Sequence, residues 1–190
     1  MSSHHIIREK QEPALIIADI QGFDLENLGQ LLEWSPTVIV FKNDVEKIHS
    51  LGLKMDIIVA EKDNSAVFQE HTKHIEASEE SFLDASLLFL IQEGYSAVNI
   101  ITGHFDIDAL SKYIEKIDIV LLKNSERAFV VRSGFSKWKS AGETITVLSK
   151  AADFQSAGLK QISENSYLTE KDGFYKLTFS NKFIFISENL

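Results

Sequence analysis

The chain has 190 residues, 44% of them hydrophobic and 25% charged, which is the mixture of a packed protein and excludes the low-hydrophobicity signature of disorder. Lys and Arg number 19 against 28 Asp and Glu, a net charge of −9, which repels phosphate backbones and argues against a nucleic-acid partner. Cysteine is absent, so disulfides, thiolate metal sites and cysteine nucleophiles drop out.

In chain order, Ala14 to Asp19, Thr37 to Lys42, Asp56 to Ala60, Val98 to Thr102 and Asp118 to Leu122 are short apolar runs rich in Ile and Val. Runs of this kind suit parallel strands buried on both faces. Helical spacing lies between them, at Asp24 to Glu33, Asp44 to Leu51, Glu79 to Glu93 and Asp106 to Lys116. The third is clearest: Phe82, Leu83, Leu87, Leu90 and Ile91 share a face, and Gly94 follows as a C-terminal stop. Asp24 and Asp106 stand where an N-cap or first-turn carboxylate favours a helix start.

After about Arg127 the pattern changes to short strand-like runs, Arg127 to Arg132, Glu143 to Leu148, Gly173 to Phe179 and Lys182 to Ser187, with Ser180-Asn181 as a tight turn. The prediction is an open, mostly parallel, Rossmann-like α/β sheet with right-handed crossovers over residues 1–126, followed by a smaller all-β, sandwich-like domain over 127–190. No apolar run approaches the roughly 20 residues that span a bilayer, and Met1 to Lys10 has no signal-peptide core, so the expectation is a cytoplasmic protein without membrane contact. Trp34 and Trp138 are expected to pack in cores. His4 and His5, at the start of the chain, are read as solvated imidazoles, and His71 and His74 as surface residues without further zinc ligands.

Ligands of open α/β sheets bind beyond the carboxyl ends of the strands, so the residues leaving each strand are the candidates. Lys42-Asn43-Asp44 leaves the second strand, Glu61-Lys62-Asp63-Asn64 the third and Gly103-His104-Phe105-Asp106 the fourth. Oxygen-rich groups of this sort suit Mg²⁺, which takes one or two carboxylates plus water and substrate phosphates. Strand ends and helix starts are also polar for reasons of capping and solubility, so the residues alone leave both readings open. Neither a P-loop nor a GxGxxG is present, and no GxSxG elbow supports a serine nucleophile.

The order of segments adds to this. Thr37 to Asn64, TVIVFKNDVEKIHSLGLKMDIIVAEKDN, resembles the stretch of thiamine pyrophosphokinases in which a strand runs into an Asp-Gly-Gly turn, a short helix, a "GxxPD" turn and a "GDxDS" metal loop. Ser81 to Asp106, SFLDASLLFLIQEGYSAVNIITGHFD, is similar to that family's helix, strand and "GGRxDH" segment, and Gly158-Leu159-Lys160 to the "GLK" of its C-terminal β domain. The motif positions are altered. Lys42, Asn43 and Asp44 replace the Asp-Gly-Gly turn, Asp56 matches the Asp of the "PD" turn, and residues 60–64 replace the metal loop while keeping Glu61 and Asp63. Phe82 stands where the family has a helix Asp. Gly103 and Asp106 match, with His104 in place of the arginine, which removes a bidentate phosphate donor.

The resemblance implies a homodimer that transfers pyrophosphate from ATP to the hydroxyl of thiamine or a related alcohol. It also implies Mg²⁺ on Glu61, Asp63 and Asp106, catalytic roles for Asp63 and Asp106, and cofactor contacts from Lys42, Lys62, Gly103 and His104. The alternative is a non-catalytic dimeric binding or assembly protein that kept the scaffold after losing the site.

Overall fold

Short runs of Val, Ile and Leu between polar stretches fold as buried strands, because β-branched side chains fill both faces of a covered sheet. The computed structural model describes residues 12–61 and 72–190. The chain divides into two units, Met1–Gly103 with Glu115–Ile119, and His104–Ile114 with Val120–Leu190.

In the first unit β1 (Ala14–Ile17), β2 (Val38–Phe41) and β3 (Ile57–Ala60) alternate with α1 (Leu25–Leu32) and α2 (Val45–Ser50). Then come β4 (Lys73–Glu76), α3 (Phe82–Gln92) and β5 (Ala97–Ile101). The strands lie in the order β5-β1-β2-β3-β4, and every one of these pairings is parallel. From β1 the chain steps outward to β4, then returns to set β5 on the other side of β1. The order therefore reverses between β1 and β5, which is where an open α/β sheet forms its ligand crevice.

Local chemistry sets the helix ends. Asp24 Oδ1 accepts from the backbone N–H groups of Glu26 and Asn27, each at 2.9 Å, and so caps α1. A 3-10 turn over Lys42–Asp44 leads directly into α2, and reciprocal bonds between Ser78 and Ser81 start the turn before α3. Asp56 works at the opposite, amino end of the strands. Its Oδ2 accepts from Val38 N at 3.0 Å and its other oxygen pairs with Lys54, which fixes the start of β2 against that of β3.

The second unit begins with α4 (Ile107–Leu110), shorter than the spacing predicts because residues 111–116 continue as turns. Strand β6 (Asp118–Lys123) starts among residues of the first unit and ends in the second. The remaining strands are β7 (Glu126–Val131), β8 (Ser136–Lys139), β9 (Thr144–Val147), β10 (Gln155–Ala157), β11 (Leu159–Gln161), β12 (Ser166–Thr169), β13 (Gly173–Thr178) and β14 (Ile184–Asn189). The run β11-β12-β9-β14-β7-β6 is antiparallel and belongs to the same eleven-stranded sheet as the parallel strands, so that sheet is mixed where the sequence pattern predicts a mostly parallel one, and a second, antiparallel sheet of three strands runs β10-β13-β8. Their facing side chains form one core of Val131, Ile145, Val147, Tyr175, Leu177 and Ile186 with their neighbours.

The two tryptophans correct the expectation that they pack inside: Trp34 is 68% exposed and Trp138 52%. Trp138 alternates with Lys137 and Lys139 on β8, and it is the lysines that turn inward, to the buried carboxylate of Glu188. His74 is exposed on β4, as expected; His4, His5 and His71 lie outside the described residues. Among the described residues no helix is long and apolar enough to cross a membrane.

Candidate functional site

At the reversal of strand order, β1 delivers Asp19 and β5 delivers Gly103. Asp19 N donates to Ile101 O at 3.2 Å and Asp19 Oδ1 accepts from Gln21 N at 2.8 Å, so the carboxylate is held by its own turn. A side chain on Gly103 would place its Cβ 2.5 Å from Asp19 Oδ2. A larger residue there therefore requires the Asp19 carboxylate to swing aside, since real Cβ contacts do not come so near.

The exit of β2 adds Lys42 and Asp44. Asp44 is partly buried, and its carboxyl is held above the usual range first by burial and then by the negative charge of Asp19, against a smaller opposing effect of Lys47. A strand-end carboxyl whose ionisation is disfavoured by burial and by a neighbouring carboxylate is a common property of reactive sites. The exit of β3 adds Glu61. Its Oε2 accepts from Lys42 Nζ at 2.9 Å, with the lysine side chain 24% exposed and that of the glutamate 58%. An ion pair this open to solvent contributes only about 0.2–1 kcal/mol to stability.

Beside these groups Phe82 is buried at the start of α3, with its ring 5.0 Å from that of Phe41. At the position where the resemblance places a family aspartate, an aromatic side chain is thus packed into the core.

Of the residues singled out in the sequence, Lys42 and Glu61 come together directly, and Gly103 lies against Asp19. His104 and Asp106 belong to the second unit, where Asp106 Oδ1 accepts from Ala109 N at 3.2 Å and caps α4. Lys62 and Asp63 lie outside the described residues. Asp19 is the residue that sequence reasoning missed. The signal was available, an acidic residue at the exit of the first strand, but only the later strand exits were searched.

Solved structures with a similar fold include thiamine pyrophosphokinases. That of Bacillus subtilis is 13% identical, with 93% of this chain and 98% of that one covered and a TM-score of 0.66. The enzyme of Candida albicans is 10% identical, over 96% and 90%, with a TM-score of 0.67. Yeast thiamin pyrophosphokinase is 7% identical, over 98% and 88%, with a TM-score of 0.65. The chain has the thiamine pyrophosphokinase fold. No family model matches its sequence and no curated protein is significantly similar to it, so the likeness is one of fold.

Of the residues that the resemblance gives to Mg²⁺, Glu61 and Asp106 are described and Asp63 is not. Among the described residues no three His, Asp or Glu side chains gather to hold a metal ion. In the thiamine pyrophosphokinase fold as this chain builds it, Glu61 is bonded to an ammonium, Asp106 is a helix cap and Asp19 is wedged against Gly103.

Proposed function

We propose that the chain is a thiamine pyrophosphokinase-like protein whose ligand crevice lies at the carboxyl ends of β1, β2 and β5. The reaction of this reading is transfer of a pyrophosphoryl group from ATP to the hydroxyl of thiamine or a related alcohol. The hydroxyl oxygen forms a bond to the β-phosphorus, the bond from that phosphorus to the oxygen bridging to the α-phosphate breaks, and AMP leaves. The observation that carries the reading is the correspondence of fold along nearly the whole of both chains, joined to Asp19 and Gly103 at the reversal of strand order.

Within it Asp44 takes the hydroxyl proton, since a carboxyl held above its usual pKa is the stronger base at neutral pH. Lys42 balances phosphate charge. Such transfer is largely positioning and charge stabilisation, and the protein is expected to work in the cytoplasm as a homodimer.

The test is AMP release from ATP with and without thiamine. Thiamine-dependent AMP that falls in Asp44→Asn by about 100-fold, the size of a general-base contribution, supports the reading; well-folded protein that releases none sinks it.

A second reading is favoured by the Lys42–Glu61 pair and by Phe82: a binding or assembly protein that no longer transfers pyrophosphate. An ammonium and a buried aromatic side chain stand at positions where the family resemblance places acidic groups. This reading expects thiamine to bind without AMP release, measured by calorimetry on the same preparation.

A further inference from the structure

We propose that the ammonium of Lys42 occupies the place of a divalent cation in the crevice, so that this chain engages its ligand independently of metal. The inference rests on the crevice being the ligand site, as proposed above, but it concerns charge and not transfer.

Three observations converge. Lys42 leaves β2 and Glu61 leaves β3, on adjacent parallel strands, so the pair spans the strand ends where a bridging cation would sit. Lys42 Nζ lies 2.9 Å from Glu61 Oε2, and a hard cation bound to this carboxylate at about 2.0–2.1 Å would sit beside that positive charge. The other described carboxylates at these strand ends, Asp19 and Asp44, do not form a group of three metal ligands with Glu61, and Asp19 also accepts from its own turn. The position is a sequence choice, because lysine stands where the resemblance has the Asp of an Asp-Gly-Gly turn. One substitution removes an acidic group and supplies a positive charge at the strand ends.

The experiment titrates the full chain with Mn²⁺ and reads free ion by electron paramagnetic resonance, for the native protein, Lys42→Met, Lys42→Gln and Lys42→Met/Glu61→Gln, with circular dichroism as the check on folding. The expected result is no saturable site in the native protein. Either single variant binds Mn²⁺ at least about tenfold more tightly than native protein, as removal of an adjacent cation from a carboxylate requires, and the double variant loses that gain. Saturable Mn²⁺ binding by native protein would overturn the proposal, and so would single variants that bind no better than native. Lys42→Gln keeps the test open if Lys42→Met does not fold. Absence of AMP release would sink the transfer reading and leave this result standing, whereas Mn²⁺ binding by native protein would sink this inference and leave transfer open.

Discussion

Two glycines show how a residue identity acquires its physical reason only in three dimensions. Gly158, the first residue of the "GLK" run, has φ +78°, and a Cβ there would meet Phe174 O at 2.9 Å and Tyr175 Cα at 3.3 Å. Gly142 has φ +83° with nothing within 4 Å. Both substitutions force an L-residue into the left-handed region at about 1–2 kcal/mol, but only at Gly158 does rigid backbone stand in the way. Gly158→Ala is therefore expected to destabilise by about 3 kcal/mol, roughly twice the cost of Gly142→Ala. Urea unfolding of the two variants checks it, and equal midpoints would show that the contact with β13 relaxes freely. The sequence offered "GLK" as a string. It could not say that the glycine is needed because β10 passes against β13, nor that Gly103 lies against the Asp19 carboxylate, since both contacts join segments distant in the chain.

At the scale of elements, legibility followed the hydrophobic pattern. The buried strands β1, β2, β3 and β5 read directly as Ile and Val runs, and α1 and α3 as helical faces. Strand β4, whose Lys73, His74 and Glu76 are exposed, carries no such pattern because it lies at the edge of the parallel sheet, where charge discourages further pairing. Strand β8, Ser136–Lys139, misleads in a different way, because its apolar residue faces out and its lysines face in. They converge with Arg127 on Glu188, whose side chain has no exposed surface. Arg127 Nε donates to Glu188 Oε1 at 2.8 Å, Lys137 bonds the same oxygen, and Lys139 Nζ lies 3.5 Å from Oε2.

Burial alone would raise the Glu188 pKa, but the hydrogen bonds and charges of Lys137 and Arg127 outweigh it and hold the carboxyl below the ordinary glutamate range. A depressed folded pKa gives stability that is present above the unfolded value and is lost as pH falls through the folded one. Acid titration of native protein should therefore lose stability below about pH 4.5, and Glu188→Gln should flatten that loss. Removing the carboxylate in Glu188→Ala leaves inward-facing cations unpaired and costs about 2–3 kcal/mol, discounted from a fully buried pair because Arg127 and Lys137 are partly exposed. Trp138→Ala, on the outer face of the same strand, is expected to cost no more than about 1 kcal/mol, the worth of a cross-strand pair. Chemical denaturation of both variants would contradict this inside-out reading of β8 if the tryptophan proved the costlier loss.

Over the whole molecule, the change from strand-helix alternation to strands alone was legible near Arg127, because periodicity changes there. The compact units divide the chain differently, with residues 104–114 grouped with the β strands and Glu115–Ile119 with the parallel sheet. A linear reading cannot assign a segment to a unit that the chain leaves and re-enters. This division exposes a charge asymmetry hidden in the net value of −9. The first unit has eight Lys and Arg against 19 Asp and Glu, a balance of −11, and the second has 11 against nine, a balance of +2. Self-repulsion at −11 opposes the folded state of the first unit, and salt screens it over about 10 Å at 0.1 M and less at higher concentration. Raising NaCl to about 0.5 M should therefore stabilise the first unit by about 1 kcal/mol. The second unit has little net repulsion to relieve, and its buried Glu188 cluster is poorly screened. Hydrogen exchange resolves the two units in one sample: protection of amides in β1, β2 and β3 should rise with salt, while that in β9 and β14 stays level. Equal gains in both units would mean that salt acts through general exclusion from protein surface and not through the acidic charge of the parallel-sheet unit.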